Sequence, residues 1–145
     1  MGRQFKSVSK HQKFYLGMKN HLYNMIANIR NGQIVNKSFI LQSKKNICES
    51  LLNVLWDEGF ILGYKISGNN PNVLKIFLKY KNGKPAINSL KLISKPGLRV
   101  YYSVKQLWKL NTNNGIIILS TNKGIMSINE CKKLNLGGEP ILIVK

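Results

Sequence analysis

Residues 115–138 read GIIILSTNKGIMSINECKKLNLGG, and the order of chemistry along them decides how the C-terminal half folds. GIIILS is an unbroken β-branched run, which reads as a central strand. It stops at Ser120, Thr121, Asn122, Lys123 and Gly124, a cluster of short donors and acceptors. SINE at 127–130 then has the capping-box form, in which Ser127 accepts from the backbone N–H of Glu130 and Glu130 reaches back. Ile128, Cys131 and Leu134 are expected to face the core from the following helix, LGG ends it, and PILIVK is a last strand.

Upstream, KNGK at 81–84 signals a tight turn and marks the expected boundary between two lobes. Beyond it AINSLKLIS and LRVYYS are strand-like, separated by a turn at Pro96 and Gly97, and VKQLWKL forms a short helix. Before it, Phe14, Met18, Leu22, Met25, Ile26 and Ile29 recur at helical spacing, and Gly32 of RNG is the expected C-terminal glycine. KSFILQ is a short strand. Ser43 is the expected N-cap of a second helix, in which Ile47, Leu51, Val54 and Leu55 form a stripe that Gly59 closes. FILGYKI and VLKIFLKY are two strands joined by SGNNPN; Leu74, Ile76, Leu78 and Tyr80 share one face of the second. The fold class is α+β with two small lobes. The N-terminal one, 14–82, runs helix-strand-helix-strand-strand, and the C-terminal one, 83–145, is mainly β with short helices. Residues 1–13, basic and without acids, are expected to be an arm.

The 145 residues carry 23 Lys plus Arg against 5 Asp plus Glu, a formal net charge of +18. Such a field repels itself and attracts polyanions. No apolar run approaches the roughly 20 residues that span a bilayer, so nucleic acid leads and no membrane partner is expected. A two-metal nuclease needs several converging carboxylates, yet of Glu49, Asp57, Glu58, Glu130 and Glu139 only Asp57 and Glu58 are adjacent, and these read as the polar end of a helix. Cys48 and Cys131 match no zinc spacing and read as small core residues in a reducing compartment. No catalytic residue, metal or cofactor is expected. Lys outnumbers Arg 20 to 3 and Ala occurs twice, a bias that follows A/T-rich codons.

The Ser120–Gly124 cluster has two readings of equal weight. Ser and Asn are common in turns; equally, short side chains keep the backbone close to whatever the loop touches, and their polar groups suit phosphates and the 2′-hydroxyl-lined shallow groove of RNA. Gly137 and Gly138 permit close backbone approach, and Glu139 beside them could accept from a base amino group or be a solvated acid. Lys95 and Arg99 flank a turn, while of Tyr101 and Tyr102 one ring packs inward and one is exposed. A stacking tyrosine competes there with the commoner core tyrosine. Lys37, Lys44 and Lys45, around the first strand and the start of the second helix, are phosphate candidates.

Six blocks carry a resemblance: NMIANIRNG, VLWDEGFI, LKY, ISKPGLRVY, GIIILSTNKGIM and LGGE, in that order. Across residues 14–145 the chain resembles the eighth protein of the bacterial-type small ribosomal subunit. That resemblance implies a structural, non-catalytic RNA-binding protein that contacts the central domain of small-subunit ribosomal RNA, supports assembly, and neighbours other small-subunit proteins rather than forming homo-oligomers. It implies that the serine–threonine loop, here Ser120, Thr121, Asn122, Lys123 and Gly124, enters the RNA minor groove with Gly137, Gly138 and Glu139 close by. Lys37, Lys44, Arg99 and Tyr102 complete the expected RNA-binding set. Asn122 stands where the family usually has a second serine. The codon-like bias directs the expectation to a mitochondrial ribosome first, and to a plastid or an A/T-rich bacterium next. The rival functions are a free-standing regulator that represses its own message and an RNA-modifying enzyme; the enzyme lacks paired acids, a nucleophile–base pair and a cofactor loop.

Overall fold

Alternation of apolar and polar residues builds the first sheet. The structure, a computed structural model, describes residues 10–93, 101–110 and 115–145, with side chains from residue 20 onward. Its first half runs α1 (Lys10–Ile34), β1 (Phe39–Ser43), α2 (Asn46–Asp57), β2 (Ile61–Ile66) and β3 (Val73–Leu78), the expected order. The three strands are antiparallel in the order β1-β3-β2. Ile40, Leu74, Ile76 and Leu78 point to the core, whereas Phe39, Leu41 and Lys75 take the opposite face. On that outer face the Lys75 ammonium lies 4.0 Å above the Phe39 ring.

The second half contributes β4 (Tyr80–Lys81), β5 (Lys84–Pro85), β6 (Leu90–Leu92), α3 (Val104–Lys109), β7 (Ile116–Thr121), β8 (Gly124–Ser127), α4 (Ile128–Leu134) and β9 (Glu139–Val144). β4 and β5 form the hairpin that KNGK announces, with Asn82 and Gly83 at φ 52° and 78°. The other strands form an antiparallel sheet in the order β6-β9-β7-β8, so the GIIILS run is interior as expected. KPG and the first three residues of LRVYYS lie outside the described residues. One buried cluster runs from Leu22, Met25 and Ile29 of α1 through Leu51 and Leu55 of α2 to Leu90, Ile118, Leu142 and Val144 of the second sheet. Leu107, Leu119, Ile128 and Cys131 make a smaller one beneath α3 and α4.

The helix ends differ from expectation in an informative way. α1 does not stop at Gly32: it continues to Ile34 and closes at Asn36, whose φ is 56°. The Lys37 N–H bonds the Gly32 carbonyl at 2.9 Å and the Asn36 N–H bonds that of Gln33 at 3.1 Å, the paired bonds of a Schellman ending. α4 closes in the same way on Asn135 (φ 54°), with Leu136 N–H on the Cys131 carbonyl, so LGG lies beyond the helix. Asparagine tolerates the left-handed region and takes the terminator's place. Leu134, in the last turn of α4, is 46% exposed and not core. At α2 the N-cap is Lys45, with no side-chain cap, and Ser43 belongs to β1; Gly59 (φ 80°) does end that helix. The helix α1 also takes in residues 10–13, at the end of the stretch expected to be an arm.

Cys48 and Cys131 are fully buried. Burial pushes the Cys48 thiol up to about 11, and burial raises that of Cys131 as well, so both remain protonated small apolar groups near neutrality.

Freed from the terminator's role, Gly32 has a packing one. A Cβ there would stand 2.6 Å from Ile40 Cγ2 and 3.1 Å from Leu78 Cδ1, where α1 lies directly on β1 and β3. Gly32→Val is therefore expected to cost about 1–3 kcal/mol through overpacking. Urea unfolding would show this as a lower midpoint; an unchanged midpoint would mean that the helix can lift away without loss.

Candidate RNA interface

The polar tip is a hairpin. Thr121 pairs with Gly124 and Ser120 with Ile125, leaving Asn122 and Lys123 as the two-residue turn. Gly124 supplies the positive φ of 111° and has open space around it, so backbone conformation rather than room requires glycine. The Thr121 hydroxyl donates to the Gly124 carbonyl at 2.8 Å and accepts from the Lys123 N–H at 3.2 Å. It thus ties the two sides of the turn together. Asn122, Lys123 and Gly124 are exposed, Ser120 and Thr121 half-buried. Both readings of the cluster meet here: the turn is orderly because of the residues that make it polar.

The glycine pair builds the ground on which the tip stands. Tyr102 and Gly138 exchange backbone hydrogen bonds of 2.8 and 3.0 Å, and Ser120 lies opposite Glu139. A Cβ on Gly137 would meet the Tyr102 carbonyl at 2.5 Å, and one on Gly138 the Ser120 carbonyl at 2.7 Å. The close approach that two glycines permit is thus used within the protein, to bring three backbones together. Glu139 is buried, 9% exposed, and is not without a partner. It is therefore not a solvated acid.

The other candidates spread out. Tyr102 is the half-buried ring, packed on the cluster of Leu107 and Leu119, whereas Tyr101 is 66% exposed. The ring free to stack is therefore Tyr101, which lies beside Gly137: the Gly137 Cβ position is 2.9 Å from its hydroxyl. The choice between neighbours follows from the bridge to Gly138, a long-range pairing that alternation within YY cannot reveal. Lys37 follows α1, exposed, its carbonyl accepting from the Tyr80 hydroxyl at 2.6 Å. Lys44 follows β1, half-buried, its N–H on the Asn72 carbonyl. They flank the two ends of edge strand β1, about 20 Å apart at the rise of an extended chain, so they cannot serve one phosphate. Arg99 lies outside the described residues.

Lys123 and Gly124 also border a cavity of about 320 Å³ with Ser50, Asn53, Asp57, Glu58 and Glu130. Three acids, Asp57, Glu58 and Glu130, thus lie on that flank of the tip. The pairing of Ser127 with Glu130 is half realised, the Glu130 N–H lying 3.4 Å from Ser127 Oγ. The reciprocal capping box occurs instead at Ser103 and Gln106, ahead of α3. Among the described residues no group of three or more His, Cys, Asp or Glu could hold a metal, and no helix is long and apolar enough to cross a membrane.

A family model described as ribosomal protein S8 matches residues 20–144. The chain belongs to that family. It is similar to small ribosomal subunit protein uS8 of Buchnera aphidicola subsp. Cinara cedri (strain Cc), 43% identical over 89% of this chain and 99% of that one. The similarity to the uS8 proteins of Wigglesworthia glossinidia brevipalpis is 42% over 90% and 100%, and to that of Stutzerimonas stutzeri (strain A1501) 40% over 89% and 99%. The six quoted blocks all lie inside the span matched by the S8 family, and the glycine-supported tip is the most exposed polar feature of the last two.

Because the obstacle at Gly138 is backbone, it cannot rotate away. Gly138→Ala is expected to destabilise the chain by about 1–3 kcal/mol and to speed amide exchange at Tyr102 and Gly138 before exchange at Leu74 changes. Uniform acceleration, or none, would mean that the three backbones are not held together at this point.

Proposed function

We propose that the chain is a structural constituent of the small ribosomal subunit, binding small-subunit ribosomal RNA without any covalent step. The observation that carries this is the family match across residues 20–144, with relatives named as small-subunit proteins. The C-terminal lobe, 83–145, reads the RNA: Ser120–Gly124 approach a minor groove, where short side chains and a left-handed glycine let backbone and hydroxyls reach sugar edges. Tyr102, Gly137, Gly138 and Glu139 position the tip, and Tyr101 stands beside it as an exposed ring. The N-terminal lobe, 14–82, adds phosphate contacts from Lys37 and Lys44 that fix orientation but carry no sequence information. Arg99 is kept as a further phosphate partner on its charge.

The relatives named above are bacterial, which supports a bacterial-type ribosome. A/T-rich codon bias accounts equally for a bacterial cytoplasm and for the mitochondrial matrix, and the mitochondrial assignment rests on that bias. Sedimentation tests the central claim. The chain should co-migrate with small subunits through a high-salt wash; recovery in light fractions would remove it from the ribosome.

The electrostatic part makes a quantitative demand. With roughly six to ten phosphates engaged, affinity should fall about a thousandfold or more between about 50 and 200 mM salt. A flat profile in filter binding would contradict it.

The two lobes should also respond differently. Thr121→Ala unties the tip and is expected to lower affinity for the native stem by about 1–3 kcal/mol, with Thr121→Ser retaining most of it. Lys44→Ala should weaken all RNAs alike. Equal losses on native and unrelated RNA from both changes would erase that division.

A further inference from the structure

The C-terminal half of α1 and the chain leading into β6 enclose a cavity of about 420 Å³, lined among others by Arg30, Gln33, Ile34 and Leu90. A second, of about 230 Å³, lies along the same helix between Tyr23, Arg30 and Leu92. Arg30 is common to both, so they form one groove beside β6. That strand is an edge of its sheet.

Gln33 is 8% exposed, and its Nε2 has no hydrogen-bond partner among the described residues. A buried amide without an acceptor is a standing cost to the fold, and an acceptor brought into the groove would remove it. Around this donor the surface is apolar: Ile34 is 77% exposed and Tyr23 59%. Among the described residues no lysine lines either cavity, although the chain has 20 of them. Phosphate-binding surfaces rely on cationic side chains, and this groove offers one guanidinium, one amide donor and exposed apolar area.

We propose that this groove docks an extended segment of a neighbouring small-subunit protein, one that presents an acidic residue next to an apolar one. A backbone carbonyl of the segment accepts from Gln33 Nε2, its carboxylate takes the Arg30 fork, and its apolar side chain fills the space between Ile34 and Leu90. A strand edge with a pocket for alternate side chains suits an extended chain. The inference rests on the ribosomal reading above.

The test replaces Ile34 in the full-length chain by a benzophenone-bearing amino acid and irradiates salt-washed small subunits. Presence of the chain in those subunits, read by immunoblot before irradiation, checks the ribosomal reading separately; its absence there sinks both. With the chain present, the expected product is a crosslink to a peptide of another small-subunit protein containing Asp or Glu beside an apolar residue. Gln33→Leu and the surface change Arg30→Ala should each lower its yield about two- to tenfold, the loss of one hydrogen bond or ion pair. Ribosomal RNA binding by the free chain should remain unchanged. A crosslink to RNA or to the chain itself, no crosslink, or a yield indifferent to both changes would overturn the proposal.

Discussion

A carbon atom absent from residue 138 determines where three stretches of chain can meet. A side chain there would press on the Ser120 carbonyl, and Gly138 also exchanges two hydrogen bonds with Tyr102. The tip at 120–124 protrudes from a base only three backbones thick. Rigidity at that base fixes the position of the tip, because three backbones meet there. On the proposed reading the tip at 120–124 meets RNA, and the close approach at Gly137 and Gly138 sets where that tip stands.

Charge organises the rest. A net +18 would be a diffuse liability if spread evenly, yet the few acids are not. Asp57, Glu58 and Glu130 gather around one cavity beside Lys123, and Glu139 is buried behind the tip. Glu49 stands apart from these, in the first turn of α2 beside Lys45. Lys37 and Lys44 flank the two ends of β1, on the N-terminal sheet rather than at the tip.

Local patterns in the sequence revealed the elements and their order. Period-two alternation placed Leu74, Ile76 and Leu78 on the buried face, the β-branched run at 116–118 found the interior strand, and KNGK found its turn. What escaped was settled by distance or by substitution of one residue type for another. Gly32 resembles a helix end, but the closure falls on Asn36, because Asn also accepts a left-handed backbone; the same exchange at Asn135 left Leu134 outside the core. Ser43 looks like a cap, but β1 claims it through pairing with Val73. At the tip the polar cluster was legible at once. The exposure of Tyr101 rather than Tyr102, and the inward duty of the glycine pair, depend on a bridge between residues 36 positions apart and leave no local trace.

The two thiols have a consequence for durability. Each sits sealed in its own apolar cluster, uncharged and on different helices, so neither can find the other or a small oxidant while the chain is closed. Sulfur chemistry waits on opening of the interior. Buried in this way, the two free thiols are shielded by the fold itself, so they do not bear on the reducing compartment that the sequence suggested.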